Sequence, residues 1–84
     1  MQLTAELSLY PLQSDYIPII QSFIDAVRQH QDLQIVTNAM STQIAGEHQR
    51  VLEVVGRALA DSYETFGAQV LVAKFIPGIV ELDA

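Results

Sequence analysis

From Gln2 to Tyr10 apolar and polar residues alternate, with Leu3, Ala5, Leu7 and Leu9 on one parity and Gln2, Thr4, Glu6, Ser8 and the amphipathic Tyr10 on the other. A period of two marks a half-buried strand. Pro11 has no amide proton to give a ladder and ends it, and Gln13-Ser14-Asp15 then offers helix-capping side chains ahead of a 3.6-residue pattern. Ile17, Ile20, Phe23, Ile24 and Val27 form the apolar stripe of a first helix running from about Tyr16 to about Gln29, with Pro18 tolerated in its first turn. The β-branched run Leu33 to Thr37 and the segment Thr42 to Ala45 flank Asn38-Ala39-Met40-Ser41 and predict a hairpin of two short strands.

From Glu47 the period returns to 3.6. Val51 or Leu52, Val55, Leu59, Ser62 and Phe66 share one side of a second helix, and Gly67 is placed to stop it. Glu53 and Arg57 stand four apart, the spacing of a surface ion pair, and Gly56 inside the helix suggests close backbone packing. Gln69 to Ile76 is the last strand, halted by Pro77-Gly78. It is apolar on both parities, so both of its faces are expected to be covered. The remaining acidic tail carries no readable element.

The order β-α-β-β-α-β predicts an α+β fold, a ferredoxin-like βαββαβ sandwich in which a four-stranded antiparallel sheet carries two helices on one face, as a single domain over 1–84. The other face is left open. With Leu3, Ala5, Leu7 and Leu9 turned to the helices, that face receives Thr4, Glu6, Ser8 and Tyr10, because a one-residue slip would bury Glu6.

Composition sharpens this outline. The chain has 84 residues, no cysteine, 4 Lys+Arg and 10 Asp+Glu, for a net charge of −6. Such a charge repels phosphate backbones and anionic lipid surfaces, which argues against nucleic acid and membrane partners. Thiolate chemistry and disulfides are excluded. No basic leader and no apolar run of membrane-spanning length occurs, and a cytoplasmic location is expected. A hydrophobic content of 50% is high for a domain this small, and it implies that a second subunit or a ligand covers part of the surface.

No phosphate cradle, dinucleotide fingerprint or nucleophile elbow is present, so catalysis is not expected. The first loop, Pro11-Leu12-Gln13-Ser14, lacks the arginine that an acylphosphatase-like hydrolase needs. His30 and His48 lie at helix ends as expected surface groups, and nothing gathers the converging ligands of a metal site. Two clusters remain. Glu6, mid-strand on the open face, has Ser8 and Tyr10 for neighbours and Lys74 within reach on the last strand; this set suits a small cationic or aromatic ligand, or simply a solvated face. Asn38, Met40, Ser41 and Thr42 concentrate hydrogen-bonding groups in the hairpin turn, where the same residue types also serve as ordinary turn formers.

The strings AELSLYPL (5–12), DYIPII (15–20), TNAMSTQIAGE (37–47) and KFIPG (74–78) resemble those of the YkoF-like thiamine-binding family, in order and over essentially the whole chain. The resemblance implies a non-enzymatic binder of thiamine or its hydroxymethylpyrimidine moiety, in salvage, transport or sensing. Carried over to this sequence, it implies ligand contacts at Glu6, Ser8, Tyr10, Asn38, Met40, Ser41 and Thr42. Relatives of this kind duplicate the unit in one chain or associate as dimers and tetramers, so one unit implies a homodimer or homotetramer. A regulatory module for another small metabolite, or a purely structural oligomerisation unit, stays open on the residues alone.

Overall fold

The alternation at the start of the chain is resolved by packing: Leu3, Ala5, Leu7 and Leu9 all sit in one buried cluster with Ile19, Phe23 and Val27 of the first helix and Val51, Val54, Val55 and Ala58 of the second. The computed structural model describes residues 1–78 and 80–82. Its elements are β1 (Gln2–Pro11), α1 (Ile17–Arg28), β2 (Gln34–Thr37), β3 (Thr42–Glu47), α2 (His48–Phe66) and β4 (Gln69–Pro77). The strands form one antiparallel sheet in the order β2-β3-β1-β4, with both helices on one face: the ferredoxin-like βαββαβ sandwich. Ile44, Val27 and Val51 are fully enclosed between the layers.

The helices depart from the sequence pattern in instructive ways. On α1 the core positions are Ile19, Phe23 and Val27, four residues apart, while Ile20 and Ile24 are half-buried on the flank and Ile17 is exposed. The five-residue stripe was too wide for one buried face, and Ile19 was missed because it follows Pro18 in the first turn. Nor does Gln13-Ser14-Asp15 cap the helix. Tyr16 is the N-cap and makes no side-chain bond, while Gln13 Nε2 donates to the Ala68 carbonyl at 2.8 Å and ties the loop to the start of β4. On α2, Val51 faces the core and Leu52 faces solvent, and Glu47 caps the helix by accepting from the Arg50 amide at 2.9 Å.

The expected Glu53–Arg57 pair is replaced by one centred on Arg50. Its guanidinium donates to Asp32 and to Glu53, each at 2.7 Å, and its Nη2 lies 3.1 Å from His30 Nδ1. Arg50 wins Glu53 because it joins two acids and the loop before β2 at once. The hydrogen bond from Arg50 holds the Asp32 carboxyl below its ordinary value, and His30 is half-buried against this cluster rather than free in water.

Close backbone packing occurs at Gly46, not Gly56. A Cβ at Gly46 would collide with Leu33 Cδ2, whereas one at Gly56 would meet nothing within 4 Å. Gly56 lies exposed inside a helix, where glycine costs backbone entropy without return. Gly56→Ala is therefore expected to stabilise the domain by about 0.5–1 kcal/mol, read as a higher midpoint in urea with an unchanged slope.

Cross-strand register fixes the open face as successive rows: Gln34, Ala45, Thr4 and Ile76; then Val36, Gln43, Glu6 and Lys74; then Ser8 beside Val72 and Tyr10 beside Val70. Thr4 is on this face as expected, yet it is buried. The chain turns at Gly78 (φ 101°), whose N–H donates to the Gln2 carbonyl at 2.8 Å; farther on, the Leu82 carbonyl accepts from Gln34 Nε2 at 3.3 Å. Gly78 and Leu82 are thus anchored at opposite ends of the first row, beside Gln2 and Gln34. β4 is an edge strand, and within one chain Val70, Val72, Phe75 and Ile76 are exposed. No helix among the described residues is long and apolar enough to cross a membrane.

Candidate functional site

The hairpin turn builds one wall of a cavity. Asn38 Oδ1 accepts from the backbone amides of Met40 (2.9 Å) and Ser41 (3.2 Å), and the Asn38 amide donates to the Ser41 carbonyl at 3.1 Å. These bonds close the chain around Ala39 and Met40 and leave both Asn38 amide hydrogens uncommitted. The far end of β1 and the flank of α1 supply the other walls.

The cavity measures about 190 Å³ and opens to solvent on one side. Its lining brings together Ser8 and Tyr10 from β1 with Asn38, Met40, Ser41 and Thr42 from the hairpin. Six of the seven residues singled out in the sequence thereby meet at one place. Leu7, Leu9, Ile20, Phe23, Ile24, Thr37 and Ala39 complete the wall. The apolar stripe puts Ile20 and Ile24 in the core; the signal that separates them is its width, since Ile19, Phe23 and Val27, four apart, already fill the buried face of α1.

Within this set the side chains do different things. Tyr10 and Met40 are exposed at 56% and 85%, so they form the rim. Thr42 is buried on the helix side of the sheet, its Oγ1 3.1 Å from Thr37 Oγ1. Ser41 Oγ donates to Glu6 Oε2 at 2.8 Å and accepts from Gln43 Nε2 at 2.6 Å, which leaves one lone pair for a further donor.

Glu6 is the seventh residue and stands apart from the lining. Its carboxylate lies on the open face, with one oxygen on Ser41 and the other 3.7 Å from Lys74 Nζ, the register neighbour on β4. Its link to the cavity wall is the hydrogen bond from the Ser41 hydroxyl. Gln43 supports the same hydroxyl and was not among the sequence candidates; its polar side chain on an expected strand was the signal available. Among the described residues no group of three or more His, Cys, Asp or Glu side chains is placed to hold a metal ion.

Comparison with known proteins places this arrangement. A chain from Streptococcus pneumoniae superposes with a TM-score of 0.86 at 18% identity, over 95% of this chain and 90% of that one. A hypothetical protein from the archaeon Methanocaldococcus jannaschii gives 0.79 at 21% identity, over 99% and 87%. A candidate thiamine biosynthesis/salvage protein from Thermotoga maritima gives 0.79 at 14% identity, over 89% and 82%. At these identities the likeness is one of fold. No curated protein matches the chain. The model of the YkoF-related family matches residues 2–73, which span five of the six elements and most of β4 together with every residue of the cavity wall, and the chain belongs to that family.

Proposed function

We propose that this protein is a non-enzymatic small-ligand binder that takes thiamine or its hydroxymethylpyrimidine moiety in the cavity between α1, the end of β1 and the hairpin turn, and serves thiamine salvage, transport or sensing. The convergence of Ser8, Tyr10, Asn38, Met40, Ser41 and Thr42 on one cavity carries the reading. Family membership and the Thermotoga maritima neighbour support it from outside the chain.

The chemistry of the walls fits. Asn38 offers N–H donors because its oxygen is occupied, and Ser41 offers an acceptor because its proton is committed to Glu6. An aminopyrimidine presents the complement, a ring-nitrogen acceptor beside an amino donor. A volume of about 190 Å³ is smaller than the roughly 300–1,000 Å³ of sites that enclose a drug-sized ligand, so it suits one ring with the remainder emerging at the mouth. Tyr10, which lines the cavity while its side chain is exposed toward the open face, is the aromatic group available to a cationic thiazolium that emerges there. The walls supply hydroxyls, one amide and apolar groups, which is binding chemistry rather than proton-transfer chemistry.

The same reading includes self-association in the cytoplasm as a homodimer or homotetramer. Exposed Val70, Val72 and Ile76 lie on the open face beside Tyr10, and an apolar strand edge left bare invites pairing. Thermal-shift measurement tests the ligand: thiamine held at 100 times its dissociation constant is expected to stabilise the protein by about 2.7 kcal/mol. Absence of any shift with thiamine, its phosphates and the free hydroxymethylpyrimidine would reject the reading.

A further inference from the structure

Two ladders hold β1, and they end at different places. Toward β4 the pairing continues to Pro11 opposite Gln69, whereas toward β3 it stops at Leu7 opposite Thr42. In an antiparallel ladder each residue sends its N–H and C=O to the same side, and successive residues alternate sides. The side is fixed at both ends of β1. The Gln2 carbonyl accepts from Gly78 at 2.8 Å and the Leu12 amide donates to Ala68 at 3.0 Å, so even-numbered residues bond toward β4. The Met1 carbonyl accepts from His48 at 2.9 Å, so odd-numbered residues bond toward β3.

Leu9 therefore directs both of its peptide groups into the gap where β3 has ended. Continuing the register would place Met40 opposite it, but the Met40 amide donates instead to Asn38 Oδ1. Leu9 is 7% exposed and lines the cavity, and among the described residues none of the backbone hydrogen bonds outside the ladders reaches it. A buried donor and acceptor in this state cost free energy until a partner arrives.

We propose that the Leu9 N–H and C=O are a main-chain recognition edge, which binds a planar heteroaromatic ring as a missing strand would. The N–H donates to a ring nitrogen and the C=O accepts from an adjacent amino group. Asn38 is the positioning residue, because by holding the Met40 amide it keeps the edge open. The inference deepens the ligand reading and rests on it for the choice of thiamine, while 4-aminopyrimidine, which carries the same donor and acceptor, probes the edge without that reading.

Amide hydrogen exchange followed by NMR on the wild-type protein tests it. Without ligand, the Leu9 amide is expected to exchange at least about tenfold faster than those of Ser8 and Tyr10, which bond toward β4, and either compound at saturation slows Leu9 by a similar factor. Leu9 protected like its neighbours before any ligand is added would overturn the proposal. So would thiamine binding, seen by calorimetry, that leaves Leu9 exchange unchanged; the thiamine reading would then survive. Slowing by 4-aminopyrimidine but not by thiamine supports the edge and rejects thiamine, and binding of neither compound rejects both.

Discussion

Replacing Phe23 with alanine is expected to cost about 3–5 kcal/mol, enough to consume a large part of the roughly 5–15 kcal/mol that holds a domain folded. The ring is 3% exposed and stands between two spaces, the candidate ligand cavity on one side and a smaller cleft between α1 and α2 on the other. Truncation merges voids instead of opening one, and the β1 layer against which α1 packs cannot collapse into both. Urea unfolding followed by circular dichroism reads the loss directly. Leu12→Ala serves as the control, since Leu12 is 65% exposed and an exposed site of this kind shifts stability by no more than about 0.5 kcal/mol. Equal midpoints for the two variants would show that Phe23 does not support the core.

The second large effect concerns assembly. If the chain assembles as proposed above, Val72→Glu is expected to convert that dimer or tetramer into a 9.3 kDa monomer while leaving the fold unchanged. Val72 sits on the open face opposite Ser8, flanked along β4 by Val70, and is 44% exposed in one chain, so a carboxylate there remains in water as long as the chain is alone. Once a second copy covers the face, the same carboxylate must lose its hydration beside Val70, while Lys74 on that face already stands against Glu6, and such burial costs several kcal/mol. Sedimentation at micromolar concentration checks both species. A wild-type monomer, or a variant that keeps the wild-type mass, would defeat the assembly reading.

What the sequence made legible follows from how local each signal is. β1 was readable because Leu3, Ala5, Leu7 and Leu9 bury against the helices with no exception, and α2 because Gly67 ends it with a positive φ of 93°. The candidate site residues stand in the sequence as two clusters, and register brings them together: the partner of Leu7 is Thr42, which sets Ser41 beside Ser8. Less accessible were facts that depend on the third dimension. Nothing in Ile20 and Ile24 distinguishes a cavity wall from a core stripe. The preference of Glu53 for Arg50 over Arg57 depends on Asp32, eighteen residues from Arg50 and across the layer. Thr4 is buried although its parity puts it on the open face, and its hydroxyl donates to the carbonyl of Gly78, seventy-four residues on.

The pairing of β1 with β4 also governs how the molecule is made. These are the two longest strands, and they come from opposite ends of the described chain, so their ladder closes a loop that spans residues 12 to 68. Closure of so long a loop is entropically costly, which places this domain between the fast helical bundles and the slow all-β folds in expected folding speed. Ser8, Leu9 and Tyr10 are held on the β4 side alone. The wall they form therefore takes its strand pairing from β4, although no β4 residue lines the cavity itself.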